Sequence, residues 1–180
     1  ILQTHDICKR YPGQLVLKNI NLSFKRGSVH ALVGENGAGK STFVNIISGA
    51  CPPTSGYFEF EGKRIAQVDP QGAQKLGISV VHQELNLIPE MSVAENIFLG
   101  REIKNSIGKI DWNKTNQQAK ELLCNFNVGF DEKAKINTLS VAEQQMVEII
   151  KVVSMDARLI FMDEPTSVLT EKEPEQLFKI

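Results

Sequence analysis

The sequence lacks a long apolar run, a basic block and a metal-binding cysteine pattern, and each absence excludes a class of protein. No apolar stretch in the 180 residues approaches the roughly 18 residues that a membrane-spanning helix needs. The formal net charge is -1, so we expect no nucleic-acid partner. Hydrophobic residues make up 42% and charged residues 23%, which is typical of an ordinary globular domain.

The three cysteines Cys8, Cys51 and Cys124 are odd in number and widely spaced. This arrangement favours buried thiols in a reducing compartment over a disulfide framework or a zinc site. No signal-peptide pattern is present, and the first residue is not Met. We expect a single domain over 1–180 that was cut from a longer chain.

The order of apolar patterns predicts strands, then helices, then a strand again. Alternation around residues 20–24 predicts an antiparallel strand, and Ser92 with Glu95, like Ser140 with Glu143, forms a capping-box pattern at a helix start. We predict further strands at 29–33, 57–61, 78–81 and 159–162, and helices at 40–48 and 114–126. A last helix should open at Thr170. The pattern is that of an α/β core interrupted by a helical lobe.

A glycine-rich segment, GENGAGKST, follows the predicted strand 29–33 and precedes the predicted helix 40–48. Glycines let successive backbone amides approach a phosphate, and the helix N-terminus adds partial positive charge. Lys40 would reach the terminal phosphates, Ser41 would offer a hydroxyl to Mg²⁺, and Thr42 would add a donor. The segment is therefore a predicted P-loop, with the phosphates bound by Gly34, Asn36, Gly37, Ala38, Gly39, Lys40, Ser41 and Thr42. The alternative is a glycine-rich turn with an exposed lysine.

Two acids follow the last predicted strand. Hydrolysis of a nucleoside triphosphate needs a carboxylate for the metal and a group that activates water. Asp163 and Glu164 stand at the end of a fully apolar strand, where ligands bind in open α/β sheets. We expect Asp163 to serve Mg²⁺ and Glu164 to activate the attacking water, the alternative being an acidic strand end that faces solvent.

The segment Leu139–Gln145 precedes these acids, and here the chain resembles the nucleotide-binding domain of an ABC transporter. Leu-Ser-x-x-x-Gln-Gln is similar to the family's signature, and Ser140 stands at the family's distance from Asp163. From the residues alone, Ser140 caps a helix whose apolar stripe is Met146, Ile149, Ile150 and Val153, and such a helix end binds anions. The resemblance implies that Ser140 and Ala142 meet the γ-phosphate held by a second nucleotide-binding domain in a head-to-tail pair.

The signature departs from the family's common form at three positions. Val141 and Ala142 replace glycines and Glu143 replaces glutamine. The backbone amides survive these changes, but a carboxylate now lies where phosphate should bind. We expect Glu143 to reach back to the N-cap, which would soften the repulsion.

The resemblance implies further roles. Tyr11 resembles the aromatic residue that stacks on adenine, with Val16 beside it, although an aromatic residue in a turn is also commonly a packing residue. Gln83 resembles the glutamine that senses Mg²⁺ and water and links to the membrane subunit, although an isolated Gln is commonly a surface residue. The implied catalytic residues are therefore Glu164, Gln83 and Lys40, the metal ligands are Ser41, Gln83 and Asp163, and the cofactors are ATP and Mg²⁺.

The implied fold is the ABC ATPase fold, truncated at the C-terminus. It has a P-loop NTPase core with a mainly parallel sheet, an N-terminal antiparallel β subdomain and an inserted α-helical lobe. The core would cover 1–90 and 155–180, and the lobe about 91–154.

Several stretches resemble the first ATPase domain of bacterial monosaccharide importers of the ribose, xylose and galactoside type. They are Val80–Leu85, Met91–Glu102, Ile110–Trp112 and Gln144–Ile149. The resemblance implies an ATPase at the cytoplasmic face of the plasma membrane. Its partners would be a second nucleotide-binding domain, permease subunits and, indirectly, a sugar-binding protein. Residue composition and motif spacing do not indicate which solute is transported, so the sugar assignment rests on the resemblance alone.

Other functions are compatible with the sequence to different degrees. A DNA-repair ATPase would need a long coiled coil between Thr42 and Ser140, and no sustained heptads occur there. A P-loop GTPase would need an aspartate that reads guanine, which Asn113–Asn116 lacks. A nucleotide-dependent clamp, or a non-transport ABC ATPase with little hydrolysis of its own, remains the alternative. We also expect this chain alone to be a weak or inactive ATPase.

Overall fold

Five strands near the start of the chain form an antiparallel sheet. β1 (Leu2–Tyr11) pairs with β2 (Gln14–Ile20), with the short β3 (Ser23–Phe24) and with β4 (Ser55–Phe60), and β4 pairs with β5 (Lys63–Ile65). The structure is a computed structural model that describes residues 1–81 and 85–162. The predicted N-terminal antiparallel β subdomain is confirmed.

Helix α1 (Lys40–Ile47) follows the glycine-rich loop and packs its apolar face on this sheet. Phe43, Ile46 and Ile47 are buried, and each contributes about 1.5–3 kcal/mol by leaving water. Gly49 follows the C-cap residue Ser48 with φ +82°, the left-handed conformation that ends many helices. The loop is therefore joined to a helix that the core holds in place.

Helix α2 (Pro70–Leu76) was not predicted from the sequence. Asp69 caps it by accepting from the Gly72 amide, Pro70 occupies the first turn, and Gly77 ends it in the left-handed conformation. Asp-Pro before a short segment and Gly after it are the sequence signals that would have predicted this helix. Strands β6 (Ile78–Val81) and β7 (Leu159–Met162) pair with each other and have the predicted bounds.

The middle of the chain is helical, as predicted. It contains α3 (Val93–Ile97), α4 (Trp112–Asn125), a 3₁₀ turn (Ile136–Thr138) and α5 (Val141–Val153). These elements share a second apolar core, whose buried members are Val93, Ala94, Ile97, Phe98, Ala119, Leu123, Ile136, Met146, Val147 and Ile150. The predicted stripe of α5 is buried at Met146, Ile149 and Ile150, whereas Val152 is buried in place of Val153.

The chain divides into two compact units. One contains Ile1–Val80 and Ala157–Phe161, and the other contains Val81–Asp156 and Met162. Each has its own core. No helix in the described ranges is long and apolar enough to cross a membrane.

Two expectations about this fold are wrong, the strand at 29–33 and the burial of the cysteines. Residues 29–33 form no strand, and Val29 and Val33 are 98% and 89% exposed, because no strand in 1–81 or 85–162 pairs with them and a strand needs a hydrogen-bonded neighbour. His30 therefore lies in a loop, where its Nε2 lies 2.7 Å from the Ser28 hydroxyl oxygen. The cysteines are free but not buried, since Cys8 and Cys51 are half-buried and Cys124 is exposed.

Candidate nucleotide-binding site

The glycine-rich loop ends against strand β2. Gly39 is the N-cap of α1 and has φ +96°, and a Cβ atom placed there would lie 2.6 Å from Leu17 Cδ2 and 3.2 Å from the Val16 carbonyl oxygen. Only glycine adopts this conformation at low cost, and only glycine fits beside β2. The start of α1 is therefore set by close backbone packing against β2.

The backbone of the loop has amides that meet no acceptor among the described residues. Ala38 donates to the Glu35 carbonyl at 3.1 Å, which closes a turn. Within the described ranges, the amides of Asn36 and Gly37 have no hydrogen-bond partner. Gly37 has φ +82°, and no atom within 4 Å would meet a Cβ there, so the loop is open on this side. Unpaired amides beside a helix N-terminus form a ready site for an anion.

Lys40 lies at the first position of α1 and folds back over the loop. Its Nζ donates to the carbonyl oxygens of Gly34 at 2.7 Å and of Glu35 at 3.0 Å. Ser41 beside it is exposed and Thr42 is half-buried. The ammonium and both hydroxyls therefore belong to the same helix start as the free amides.

Tyr11 and Val16 lie next to this helix start. The Tyr11 hydroxyl donates to Cys51 Sγ at 3.9 Å, and the Lys9 ammonium lies 5.1 Å from the centre of the tyrosine ring. The hydrogen bond to Cys51 raises the pKa of Tyr11, while an opposing interaction with the Thr42 hydroxyl lowers it. A contact with Thr42 places the ring beside α1, and 41% of the residue is exposed. An exposed aromatic surface at the loop is what an adenine ring could stack on.

Cys51 was not predicted to take part in this arrangement. It lies 40 residues from Tyr11 in sequence and reaches it because the chain returns past the end of β1. The return is fixed by Lys9, whose ammonium donates to the Pro52 carbonyl oxygen at 2.6 Å. No sequence pattern predicts such a contact, since it depends on pairing between segments that are distant in sequence.

The predicted signature helix α5 begins at Ser140 with a complete capping box. Ser140 Oγ accepts from the Glu143 amide at 3.3 Å, and Glu143 Oε2 accepts from the Ser140 amide and from the Ser140 hydroxyl, both at 2.8 Å. The expectation that Glu143 reaches back to the N-cap is confirmed. Ala142 is half-buried in the first turn and Val141 is 54% exposed.

The predicted site residues fall into three groups. The structure brings Tyr11, Val16 and the loop Gly34–Thr42 together in the first unit. Ser140 and Ala142 lie in the second unit. Gln83, Asp163 and Glu164 lie outside the described residues. The roles assigned to all of these residues remain predictions.

The described residues fit a polyphosphate better than they fit a metal alone. The unpaired amides of Asn36 and Gly37 and the ammonium of Lys40 are the groups that bind phosphate oxygens. Within 1–81 and 85–162, no three His, Cys, Asp or Glu side chains gather closely enough to hold a metal ion. Of the three predicted Mg²⁺ ligands, Ser41 is the one in the described ranges, so its hydroxyl would act together with phosphate oxygens.

Comparison with known proteins defines the class of this fold. The ATP-binding cassette MJ0796, in a dimeric post-hydrolysis state bound to ADP and Pi, is 27% identical to the chain with a TM-score of 0.82, over 99% of this chain and 80% of that one. MJ1267, an ATP-binding cassette of an ABC transporter, is 27% identical with a TM-score of 0.85, over 99% and 74% of the two chains. The fold is that of an ATP-binding cassette.

A family model described as "ABC transporter" matches residues 17–167. The chain therefore belongs to the ABC transporter family. Domains of this family bind ATP, typically with Mg²⁺, and work as dimers with membrane components. The resemblance stated from the motifs is confirmed at the level of the family and of the fold.

Proposed function

We propose that this chain binds Mg·ATP, hydrolyses it and powers the import of a monosaccharide through a membrane permease. The observation that carries the proposal is the start of α1, where two unpaired amides, the Lys40 ammonium and two hydroxyls gather beside Tyr11. These groups match the chemistry of a nucleoside triphosphate, with phosphates at the amides and a base on the aromatic ring.

Each residue has a role in this proposal. Lys40 binds the terminal phosphates, Ser41 and Thr42 add hydroxyls, and Tyr11 and Val16 contact the base. Asp163 and Gln83 serve Mg²⁺, and Glu164 orients and activates the attacking water. The membership of the chain in the ABC transporter family and the order of the three motifs support these assignments.

A second cassette would complete the site. Ser140 and the amides of the first turn of α5 would meet the γ-phosphate bound to the other copy, and the dimeric cassette MJ0796 supports such a pairing. ATP binding would close the two cassettes and hydrolysis would reopen them. The cassettes would lie at the cytoplasmic face of the membrane, held there by permease subunits.

The capping box of α5 favours a second candidate function, a nucleotide-dependent clamp with little hydrolysis. The Ser140 hydroxyl donates to Glu143 and is therefore engaged within its own helix turn. A carboxylate at this position would also repel the phosphate of the second cassette. A clamp would close on ATP and reopen only as ATP dissociates.

Single-turnover hydrolysis of ATP separates the two candidates. The full-length protein and its Glu164→Gln variant should be compared at saturating Mg·ATP, with Glu121→Gln as an exposed control. An ATPase predicts a loss on the order of 10³-fold for Glu164→Gln and no change for the control. Equal rates in all three proteins would favour the clamp.

The sugar branch rests on the stretches similar to monosaccharide importers. The test of the sugar assignment is to measure ATP hydrolysis in proteoliposomes. These should contain the permease encoded beside the gene of this protein, together with that permease's binding protein. Stimulation by ribose, xylose or a galactoside, and not by amino acids, is the expected result. Stimulation by a solute of another class would replace the sugar assignment and leave the ATPase assignment intact.

A further inference from the structure

Helix α5 carries a charged pair that is almost fully buried. The Glu148 side chain is 5% exposed and that of Lys151 is 13% exposed, and Lys151 Nζ lies 3.6 Å from Glu148 Oε2. Among residues 1–81 and 85–162, this carboxylate oxygen has no hydrogen-bond partner. Burying two charges costs desolvation that their attraction rarely repays, so a buried pair is weak evidence of a stabilising role. A positional role explains the pair better.

The Lys151 ammonium binds the backbone of a distant segment. Its Nζ donates to the carbonyl oxygen of Asn86 at 3.0 Å, across 65 residues of sequence. Residues 85–88 belong to no helix or strand, so their backbone groups need partners from elsewhere. Lys151 supplies one of these partners.

A side chain of a second helix binds the same segment. Asn96 in α3 is fully buried, accepts from the Ile88 amide at 2.7 Å and donates to the Ile88 carbonyl oxygen at 3.1 Å. The stretch 86–88, here named the tether segment, is therefore held at one end by α5 and at the other by α3. All these residues lie in the second unit.

The tether segment and the first turn of α5 are both attached to the same helix. Asn86 follows Gln83 by three residues, and the helix that carries Lys151 begins at Ser140. We propose that Glu148 and Lys151 are positioning residues that fix the tether segment to α5, so that it moves together with the Ser140 turn. This inference rests on the proposed function, in which Gln83 and Ser140 both belong to the ATP site.

The carboxylate of Glu148 has a defined part in this arrangement. Its Oε2 lies 3.6 Å from the Lys151 ammonium and directs that ammonium, whose side chain is 13% exposed. The ammonium, directed in this way, donates to the Asn86 carbonyl. Loss of either charge should release the tether segment without removing any apolar contact of α5.

Hydrogen exchange followed by mass spectrometry tests the proposal on the whole chain. Lys151→Met keeps most of the side-chain length and removes the donor, Glu148→Gln removes the partner charge, and Lys151→Arg retains both charge and donor. Lys114→Met is the matched control, because Lys114 also pairs with an acid three residues away but is 70% exposed. Amides of 85–90 should exchange on the order of 10-fold faster in Lys151→Met, with α5 amides unchanged. Lys151→Arg should restore the slower exchange, and Lys114→Met should match the wild type.

Two outcomes would overturn the proposal. One is unchanged exchange at 85–90 in folded Lys151→Met, and the other is an equal increase throughout α5, which would make the pair structural only. Should Lys151→Met fail to fold, Glu148→Gln carries the test with the same expected pattern. In the full-length protein, Lys151→Met should lower kcat while KM for ATP stays unchanged, since the substitution leaves the loop before α1 intact.

The two proposals fail in different ways. If the wild type fails to bind Mg·ATP in calorimetry, the proposed function falls while the exchange result stands. If binding is normal and the tether segment does not respond to the substitutions, only the positioning role falls.

Discussion

The glycines of the glycine-rich loop differ in what a side chain would meet. Gly39 and Gly37 both have positive φ, but only at Gly39 would a Cβ lie against β2. We expect Gly39→Ala to lower the free energy of unfolding by about 2–5 kcal/mol, from backbone strain plus overpacking, and Gly37→Ala by about 1–2 kcal/mol. Urea denaturation of the two variants measures the difference, and equal losses would contradict the packing of β2 on the loop.

The ionisation of Tyr11 provides a test of its contact with Cys51. Its hydrogen bond to Cys51 favours the neutral phenol, so the pKa of Tyr11 lies above the ordinary value of 10.0. Because the folded-state pKa is raised, this contact stabilises the fold below about pH 10 and the contribution disappears as pH rises through the folded-state pKa.

Ultraviolet titration in a Tyr57→Phe background isolates Tyr11, since the chain has two tyrosines. Cys51→Ala should lower the pKa of Tyr11, and Cys124→Ala should leave it unchanged because Cys124 is exposed elsewhere. If Cys51→Ala leaves the pKa of Tyr11 unchanged, the Cys51 thiol is not what raises that pKa.

At the level of elements, local signals predicted most of what formed. The bounds of β6 and β7, the start of α1 and both capping boxes follow from short stretches whose information is local. The segment 29–33 has the same apolar character, yet it forms no strand, because pairing depends on a neighbour that composition does not specify. Helix α2 was missed for the opposite reason, since its signal lies in its caps and not in apolar periodicity.

The candidate site also has features that could be predicted from the sequence and features that could not. The position of the glycine-rich loop directly before helix α1 could be predicted, because its signal lies within nine consecutive residues, while its binding role stays a prediction. The contacts of Val16 and Leu17 with Gly39, and of Cys51 with Tyr11, could not, since they join segments far apart in sequence.

The two capping boxes predict matched effects on stability. Ser92→Ala removes the cap of α3 and Ser140→Ala that of α5, and each helix loses the acceptor of one amide in its first turn. We expect each substitution to lower the free energy of unfolding by about 1 kcal/mol. Denaturant unfolding measures both, and a loss under a few tenths of a kcal/mol at Ser140 would contradict the capping role of its hydroxyl.

The same boxes supply a test of the signature. Glu143→Gln keeps an oxygen that reaches the N-cap and removes the charge that would face a phosphate, while Glu95→Gln makes the same change in the box of α3. In a Glu164→Gln background, Glu143→Gln should strengthen Mg·ATP-dependent dimerisation about 10-fold in analytical ultracentrifugation, and Glu95→Gln should not. Equal effects of the two changes would show that Glu143 lies away from the second phosphate site.

At the level of the whole molecule, the chain joins two units with separate cores, and the match to the ABC transporter family spans residues of both. The first unit holds the predicted P-loop, and the second holds the predicted signature helix with its buried charged pair. A ligand that binds the folded loop should stabilise the chain by about 2.7 kcal/mol at 100 times its Kd.

The most direct test of the account is to follow backbone amide resonances while Mg·ATP is added to the chain and to its Lys40→Ala variant. The central claim is that main-chain amides and one ammonium at the start of α1 bind the phosphates. We expect the largest shifts at the amides of Asn36, Gly37 and the first turn of α1, and at least a 10-fold weaker affinity in Lys40→Ala. Shifts centred elsewhere, or an unchanged affinity in the variant, would contradict that claim.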